Sequence, residues 1–332
     1  MHAFPVVVIL FIIAASLTFS GCTSPSANAG LETNNTKTAE REAVTGQLNT
    51  SIVAVTAIPA TMEEATSTRY ANLTRFVQEA AVYAKEHGKE TALREFNNPK
   101  GKFTKGELYI FAYDMNGTTL ALPYQQDLLG TDRRGITDSN GVEFIDGMIG
   151  VARDDGGSLY YIYKNPQENG REEFKLSHVM PVDDGWFVGS GIYLPEVPAG
   201  FNTTERDNLV ERVKQAQRYA QVHGAKEAIS DFNDRNGTFA DGSRYIFAYA
   251  YNGTTLALPF QPELIGTNRM NFSDLYGVKI TAWEISVAKR GGGFVYVNYL
   301  NPDTGEPGPK LCYVAPADGE WLVGSGIYTR QR

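Results

Sequence analysis

The string Asn-Gly-Thr-Thr-Leu-Ala-Leu-Pro occurs twice in this chain, at 116–123 and 252–259, 136 residues apart. The likeness extends well beyond the string. At the same offset His87-Gly88 matches His223-Gly224, and Phe96-Asn97 matches Phe232-Asn233. Tyr-Ile-Phe-Ala-Tyr begins at Tyr109 and again at Tyr245, Arg133 falls on Arg269, and Asn165-Pro166 falls on Asn301-Pro302. After one single-residue gap Lys175 matches Lys310, Trp186 matches Trp321, and Gly-Ser-Gly-Ile-Tyr closes both copies at 189–193 and 324–328. This period is too long for a solenoid repeat, which runs about 20–50 residues. It suits a compact domain of roughly 100–150 residues. The chain therefore holds two copies of one globular module.

The segment before the copies differs in kind. Residues 6–19 are almost entirely apolar and lead into Ser20-Gly21-Cys22. The run is short of the about 20 residues that a membrane span needs and fits the apolar region of a secretory signal. Phe-Ser-Gly-Cys resembles a lipobox, so residues 1–21 read as a lipoprotein-type signal peptide and Cys22 as the lipidated first residue. The other reading is an uncleaved N-terminal anchor; both leave the rest of the chain on the extracytoplasmic side. Residues 22–62, rich in Ser, Thr, Asn and Ala, read as a disordered tether. The second cysteine, Cys312, is matched by Ser177 in the first copy, so it reads as a small buried apolar residue and not as a disulfide partner. A formal net charge of -8 argues against nucleic acid or an anionic membrane face as the main partner.

Each module reads as helix, hairpin, helix and three-strand meander. Leu73, Phe76, Val77, Ala80 and Ala84 recur at helical spacing, which predicts a helix over 65–87 with Gly88 as its stop. Val210, Val213, Ala216 and Ala220 repeat it. In 108–114 Tyr109, Phe111 and Tyr113 face one way and Ile110 and Ala112 the other. Asn116-Gly117 and Asn252-Gly253 have the composition of hairpin turns. A helix carrying Val142, Ile145, Ile149 and Ala152 follows, then strands over 158–164, 174–181 and 186–193. Five antiparallel strands with helices on one face make an α+β module of PAS-like architecture. The expected domains are 63–194 and 208–332, joined by a linker at 195–207, and each is expected to fold alone.

The long helix ending His-Gly, then Phe-Asn, YIFAYDMNGTTLALP, a second helix, Asn-Pro at a turn and WFVGSGIY together resemble the single Cache family, type 2. Its members are extracytoplasmic small-molecule sensor modules, and the resemblance covers both copies. Leu122 and Leu258 stand where members often have His before the hairpin proline. The residues contain no metal-ligand cluster, phosphate loop or nucleophile elbow, so no catalytic residue, metal or cofactor is expected. His178 reads as a polar-pocket or surface residue, and His87 and His223 as helix-end residues.

In a PAS-like module the ligand lies between the sheet and the segments that cross it, and small-molecule sites are largely apolar with a few placed polar groups. Tyr109 and Tyr113, with Tyr245 and Tyr249, can present hydroxyls from one strand face. Arg133 and Arg269 can clasp a carboxylate, Lys175 and Lys310 can add a second cation, and Trp186 and Trp321 can supply an aromatic wall. The expected function is a lipid-anchored protein that binds an anionic metabolite, a carboxylate or amino acid, and works with a membrane signalling or transport partner. The rival is a structural or adhesive envelope protein using the modules as scaffolds. The anchor is tested directly: Cys22→Ser is expected to abolish lipid labelling and to release the protein or leave it unprocessed. A mature N-terminus elsewhere, without lipid by mass spectrometry, refutes it.

Overall fold

The computed structural model describes residues 60–329. The expected signal peptide, the lipidation site Cys22 and nearly all of the tether lie outside the described residues. The first module runs α1 (Ala60–His87), α2 (Lys89–Phe96), β1 (Thr104–Lys105), β2 (Leu108–Tyr109), β3 (Phe111–Asp114), β4 (Thr119–Ala121), α3 (Phe144–Arg153), β5 (Gly157–Asn165), β6 (Arg171–Asp183) and β7 (Trp186–Tyr193). The second repeats it as α4 (Thr203–His223), α5 (Ala225–Phe232), β8 (Ala240–Asp241), β9 (Arg244–Tyr245), β10 (Phe247–Ala250), β11 (Thr255–Ala257), α6 (Ile280–Lys289), β12 (Gly293–Leu300), β13 (Pro307–Pro316) and β14 (Trp321–Tyr328).

Leu73, Val77, Ala80 and Ala84 form the buried stripe of α1. Gly88 ends that helix with φ 79°, where a side chain is strained, and its amide donates to the Ala84 carbonyl. The same residue precedes the short helix α2, which the sequence pattern does not announce because Ala92 and Phe96 are its only buried residues. His87 bonds the Tyr83 carbonyl and His223 pairs with Glu227, so both histidines are helix-end residues.

Each module has one five-stranded antiparallel sheet, ordered β4-β3-β7-β6-β5 and β11-β10-β14-β13-β12. The last strand of each module thus inserts between the first hairpin and the meander. Helices stand on both faces of the sheet, not on one. In the second module Ala315, Trp321 and Val323 pack with Val213, Ala216 and Phe232 of α4 and α5. Tyr249, Cys312, Val314 and Leu322 belong to the cluster that includes Ile280 and Ile285 of α6. Strand parity enforces the division, since alternate residues point to opposite faces.

The modules meet along β5 and β12, with equivalent positions facing each other. The Tyr160 hydroxyl donates to Asp274 Oδ2 at 2.8 Å, and Asn140 Nδ2 donates to the Tyr296 hydroxyl at 2.5 Å. Tyr70 of α1 packs its ring 5.8 Å from Tyr276, while its counterpart Arg206 of α4 donates to the Ser139 carbonyl at 3.1 Å. Phe174 joins the two sides, stacked on Tyr160 and edge-on to Tyr296. A hydrogen bond to a charged group contributes about 1.5–3 kcal/mol. Tyr160→Phe is therefore expected to lower the stability of the intact chain by about that amount in urea denaturation. An unchanged midpoint and slope would show that the bond contributes nothing.

Candidate functional site

The repeated string aims an arginine. Thr119 N–H donates to the Thr131 carbonyl, Gly130 N–H donates to the Thr119 carbonyl, and Arg133 N–H donates to the Gly117 carbonyl at 2.9 Å. The second module repeats this ladder, ending with Arg269 N–H on the Gly253 carbonyl at 2.8 Å. Residues 130–133 and 266–269 thus run antiparallel beside the first hairpin, joined to it by the isolated bridges Thr118–Asp132 and Thr254–Asn268. Asn97 fixes the far end of the string, donating Nδ2 to the Leu120 carbonyl and accepting the Leu122 amide; Asn233 does the same with Leu256 and Leu258. Asn116-Gly117 does turn the chain, but not in the two-residue form that Asn-Gly favours. The Gly117 amide donates to the Asp114 carbonyl and the Asp114 amide to the Thr118 carbonyl, so Met115, Asn116 and Gly117 form a three-residue loop with Gly117 at φ 87°, and the Asp114 carboxylate accepts the Asn116 and Thr118 amides.

Across the sheet from this arm lies a buried lysine. Lys175, 0% exposed, donates Nζ to the Tyr109 hydroxyl at 2.8 Å. Four rings surround it: Tyr109 at 4.4 Å, Tyr193 at 4.7 Å, Tyr163 at 5.4 Å and Phe111 at 5.7 Å. Lys310 sits among Tyr245, Tyr328, Phe247 and Tyr299 at 4.2, 5.0, 5.5 and 5.8 Å. Ring faces attract a desolvated cation by up to about 2 kcal/mol each. They do not replace its hydration, and burial pulls Lys175 down to about 7, against a weaker opposite pull from Glu107. Burial acts on Lys310 in the same direction, but Tyr328, Cys312 and Glu284 outweigh it and hold Lys310 above the ordinary lysine value. Burial also keeps the Tyr109 and Tyr245 phenols protonated.

Arginine and lysine share one neighbour in each module. The Arg133 guanidinium pulls down the pKa of the Tyr163 phenol, against the larger upward push of burial, and the Tyr163 ring is one wall of the lysine cage. Arg133 Nε and Nη1 are buried and have no hydrogen-bond partner among the described residues. Arg269 donates Nη1 to the Tyr299 hydroxyl at 3.0 Å and lies 3.8 Å over the Phe272 ring, while its Nε has no partner among the described residues. Beside Arg269 opens a cavity of about 390 Å³ lined by Gln261, Leu264, Asn268, Asn271 and Phe272.

The structure thus brings Tyr109, Tyr113, Arg133 and Lys175 into one cluster, and Tyr245, Tyr249, Arg269 and Lys310 into its counterpart. It does not bring the tryptophans there. Trp186 pairs with Asp114, and that register puts it on the face opposite Tyr113. Its Nε1 donates to Asp183 and Lys89 of the α2 side lies 5.3 Å over its ring. Trp321 mirrors it through Asp318 and the α4–α5 core. Strand parity counted from Tyr113 and Trp186 carries this signal, once the pairing is known. Tyr163 and Tyr299 belong to the cluster without having been expected there, as do Gln125 and Gln261, which accept their hydroxyls at 2.5 and 2.7 Å. Tyr193 and Tyr328 close the cages from the ends of β7 and β14. His178 accepts or donates at Ser158 on the α1 side, away from this cluster, and burial pulls it down to about 4.

Two tandem modules, each of helices on a five-stranded antiparallel sheet, match a pair of Cache domains. The chain belongs to the single Cache domain 2 family, whose model matches residues 38–207 and again residues 208–331. Cache domains are extracytoplasmic sensor modules of membrane sensors. Sensor histidine kinase MctS of Rhizobium johnstonii is 36% identical over 85 residues, 25% of this chain and 18% of the kinase. Among solved structures, a methyl-accepting chemotaxis protein from Vibrio parahaemolyticus is 21% identical, with 38% of this chain and 88% of that one covered and a TM-score of 0.34. The periplasmic sensory domain of the Campylobacter jejuni chemoreceptor Tlp1 is 9% identical over 81% of this chain and 92% of its own, with a TM-score of 0.27. Among the described residues no helix is long and apolar enough to cross a membrane.

The lysine cage has a pH signature. Lys175 falls to about 7 in the folded protein from an ordinary value of 10.5, so the folded state binds fewer protons than the unfolded state between those values. Stability contributed at this site is therefore lowest below pH 7 and rises as the pH climbs toward 10, by up to about 1.4 kcal/mol per unit. Lys175→Met is expected to remove that rise and to be more stable than the parent at pH 6. Parallel stability curves for the two proteins would refute the buried, half-neutral lysine.

Proposed function

We propose that this chain is an extracytoplasmic binding or sensing component, held at the membrane by a lipid on Cys22, that takes up a small carboxylate and has no enzymatic activity of its own. A membrane signalling or transport partner carries the message of occupancy onward. The observation that supports this reading is the Arg133 guanidinium, which has two buried N–H groups lacking protein partners and shares its neighbour Tyr163 with the caged Lys175. A buried donor left unmade costs about 1–3 kcal/mol. A carboxylate seated on this guanidinium satisfies such a donor with a charge-assisted hydrogen bond.

Removal of one charge-assisted bond of about 1.5–3 kcal/mol weakens binding on the order of 10–100-fold. Arg133→Ala and Lys175→Met are expected to lose that much affinity for small carboxylates in titration calorimetry while keeping a cooperative thermal transition. The lysine adds a second readout. Because Lys175 titrates at about 7 and a bound carboxylate favours its charged form, binding at pH 8 is expected to take up a proton. Affinity then falls as the pH rises above 7, approaching about tenfold per unit. Titrations at pH 8 in two buffers of different ionisation enthalpy measure the proton. Carboxylates and the corresponding neutral amides binding equally well, with no proton exchanged, would sink the carboxylate reading.

A further inference from the structure

The two clusters differ in charge at one buried position. Where α3 carries Met148, α6 carries Glu284, and the two side chains are 1% and 2% exposed. Glu284 projects into the aromatic, arginine and lysine cluster of its module: Lys310 and Arg269 both pull its pKa down, and the Cys312 thiol is hydrogen-bonded to its carboxyl group. Its Oε2 has no hydrogen-bond partner among the described residues, and burial pushes the group up to about 8. Among the described residues of the first module no acid takes this position. Met148 occupies that place, and Glu107, the acid felt by Lys175, is already committed to Arg69 at 2.8 Å and to the Tyr193 amide.

Beside the Thr119 hydroxyl, which Thr255 matches in the second module, the first cluster therefore offers unsatisfied donors at Arg133 Nε and Nη1 and no unsatisfied carboxylate. The second offers an unsatisfied donor, Arg269 Nε, together with an unsatisfied acceptor, Glu284 Oε2. We infer that the modules read different ligands: the first takes a plain carboxylate, and the second takes an α-amino acid, with its carboxylate on Arg269 and its ammonium on Glu284. Once Glu284 is ionised, above about pH 8, a plain carboxylate in the second module leaves it without a donor and sets a second anion against the first. An ammonium removes both penalties. In the first module the same ammonium meets the Met148 thioether and two cations, with no anion to balance it. The discrimination needs no difference in shape, since a single buried position determines whether the ligand's amino group finds an acceptor.

This inference rests on the carboxylate reading of the site, and matched pairs separate the two. Propionate and L-alanine differ by one amino group, as do 3-methylbutanoate and L-valine. Equilibrium dialysis of the intact chain is expected to find one carboxylate site per chain, lost in Arg133→Ala, and one amino-acid site per chain, lost in Arg269→Ala. Glu284→Met is expected to weaken the amino acid at least about tenfold and to create a second carboxylate site. Glu284→Gln keeps the side-chain size and removes the charge, and it is expected to weaken the amino acid without unfolding the module. A carboxylate site that depends on Arg133, with amino-acid binding absent or indifferent to Arg269→Ala and Glu284→Gln, overturns the inference and leaves the carboxylate reading standing. No binding of either member of either pair overturns both.

Discussion

A lysine ammonium withdrawn from water is the most demanding object in each module, because even after relaxation the desolvation of an ion costs several kcal/mol. Much of the surrounding sequence answers that demand. A Cβ at position 191 would lie 2.5 Å from Lys175 Cε and 2.8 Å from the Leu176 carbonyl, and one at 326 would lie 2.3 Å from Lys310 Cε. Glycine is the residue that leaves room there. Gly189 and Gly324 leave room for the Phe111 and Phe247 rings in the same way. Between the glycines, Ser190 and Ser325 donate to the Tyr109 and Tyr245 carbonyls at 2.8 Å, holding the strand that carries the first cage ring. The closing tyrosine supplies another ring. Gly-Ser-Gly-Ile-Tyr is thus the mould of the lysine side chain.

The repeat, the helix stripes and the strand alternation made the architecture legible in the sequence, because each is a local period. The pairing of distant strands is not local. Trp186 reads equally well as a pocket wall or a helix-side residue until Asp114 is known to be its partner across the ladder. Tyr163 escapes notice for a similar reason: it lies in a strand crowded with Tyr160 and Tyr161, and only register shows which of the three meets both lysine and arginine. The arginines were legible because both copies keep them at the same offset behind the hairpin. Glu284 was hidden by the same method. Comparing copies favours what they share, and one acid in Ile-Thr-Ala-Trp-Glu-Ile-Ser-Val-Ala looks like drift between them.

Glu284 is one of several groups, after Tyr328 and Cys312, that hold Lys310 above the ordinary lysine value. Lys175 and Lys310 occupy matched cages of four rings, yet burial brings one near neutrality while the other remains above the ordinary lysine range. The cage alone therefore does not determine the charge state of its occupant; the acids within reach do. Two folds of the same build can present different electrostatic interiors without a change in backbone.

The contact between the modules has the form that two identical subunits make about a two-fold axis, with Tyr160 opposite the 274–278 turn and Tyr296 opposite its counterpart at Asn140. In a true homodimer such a surface must complement itself, so every substitution is entered twice. Here both halves belong to one polypeptide. Their pairing does not depend on protein concentration, and each side is free to change alone, as Tyr70 and Arg206 already have. The duplicated chain thus carries the equivalent of a heterodimer within one polypeptide.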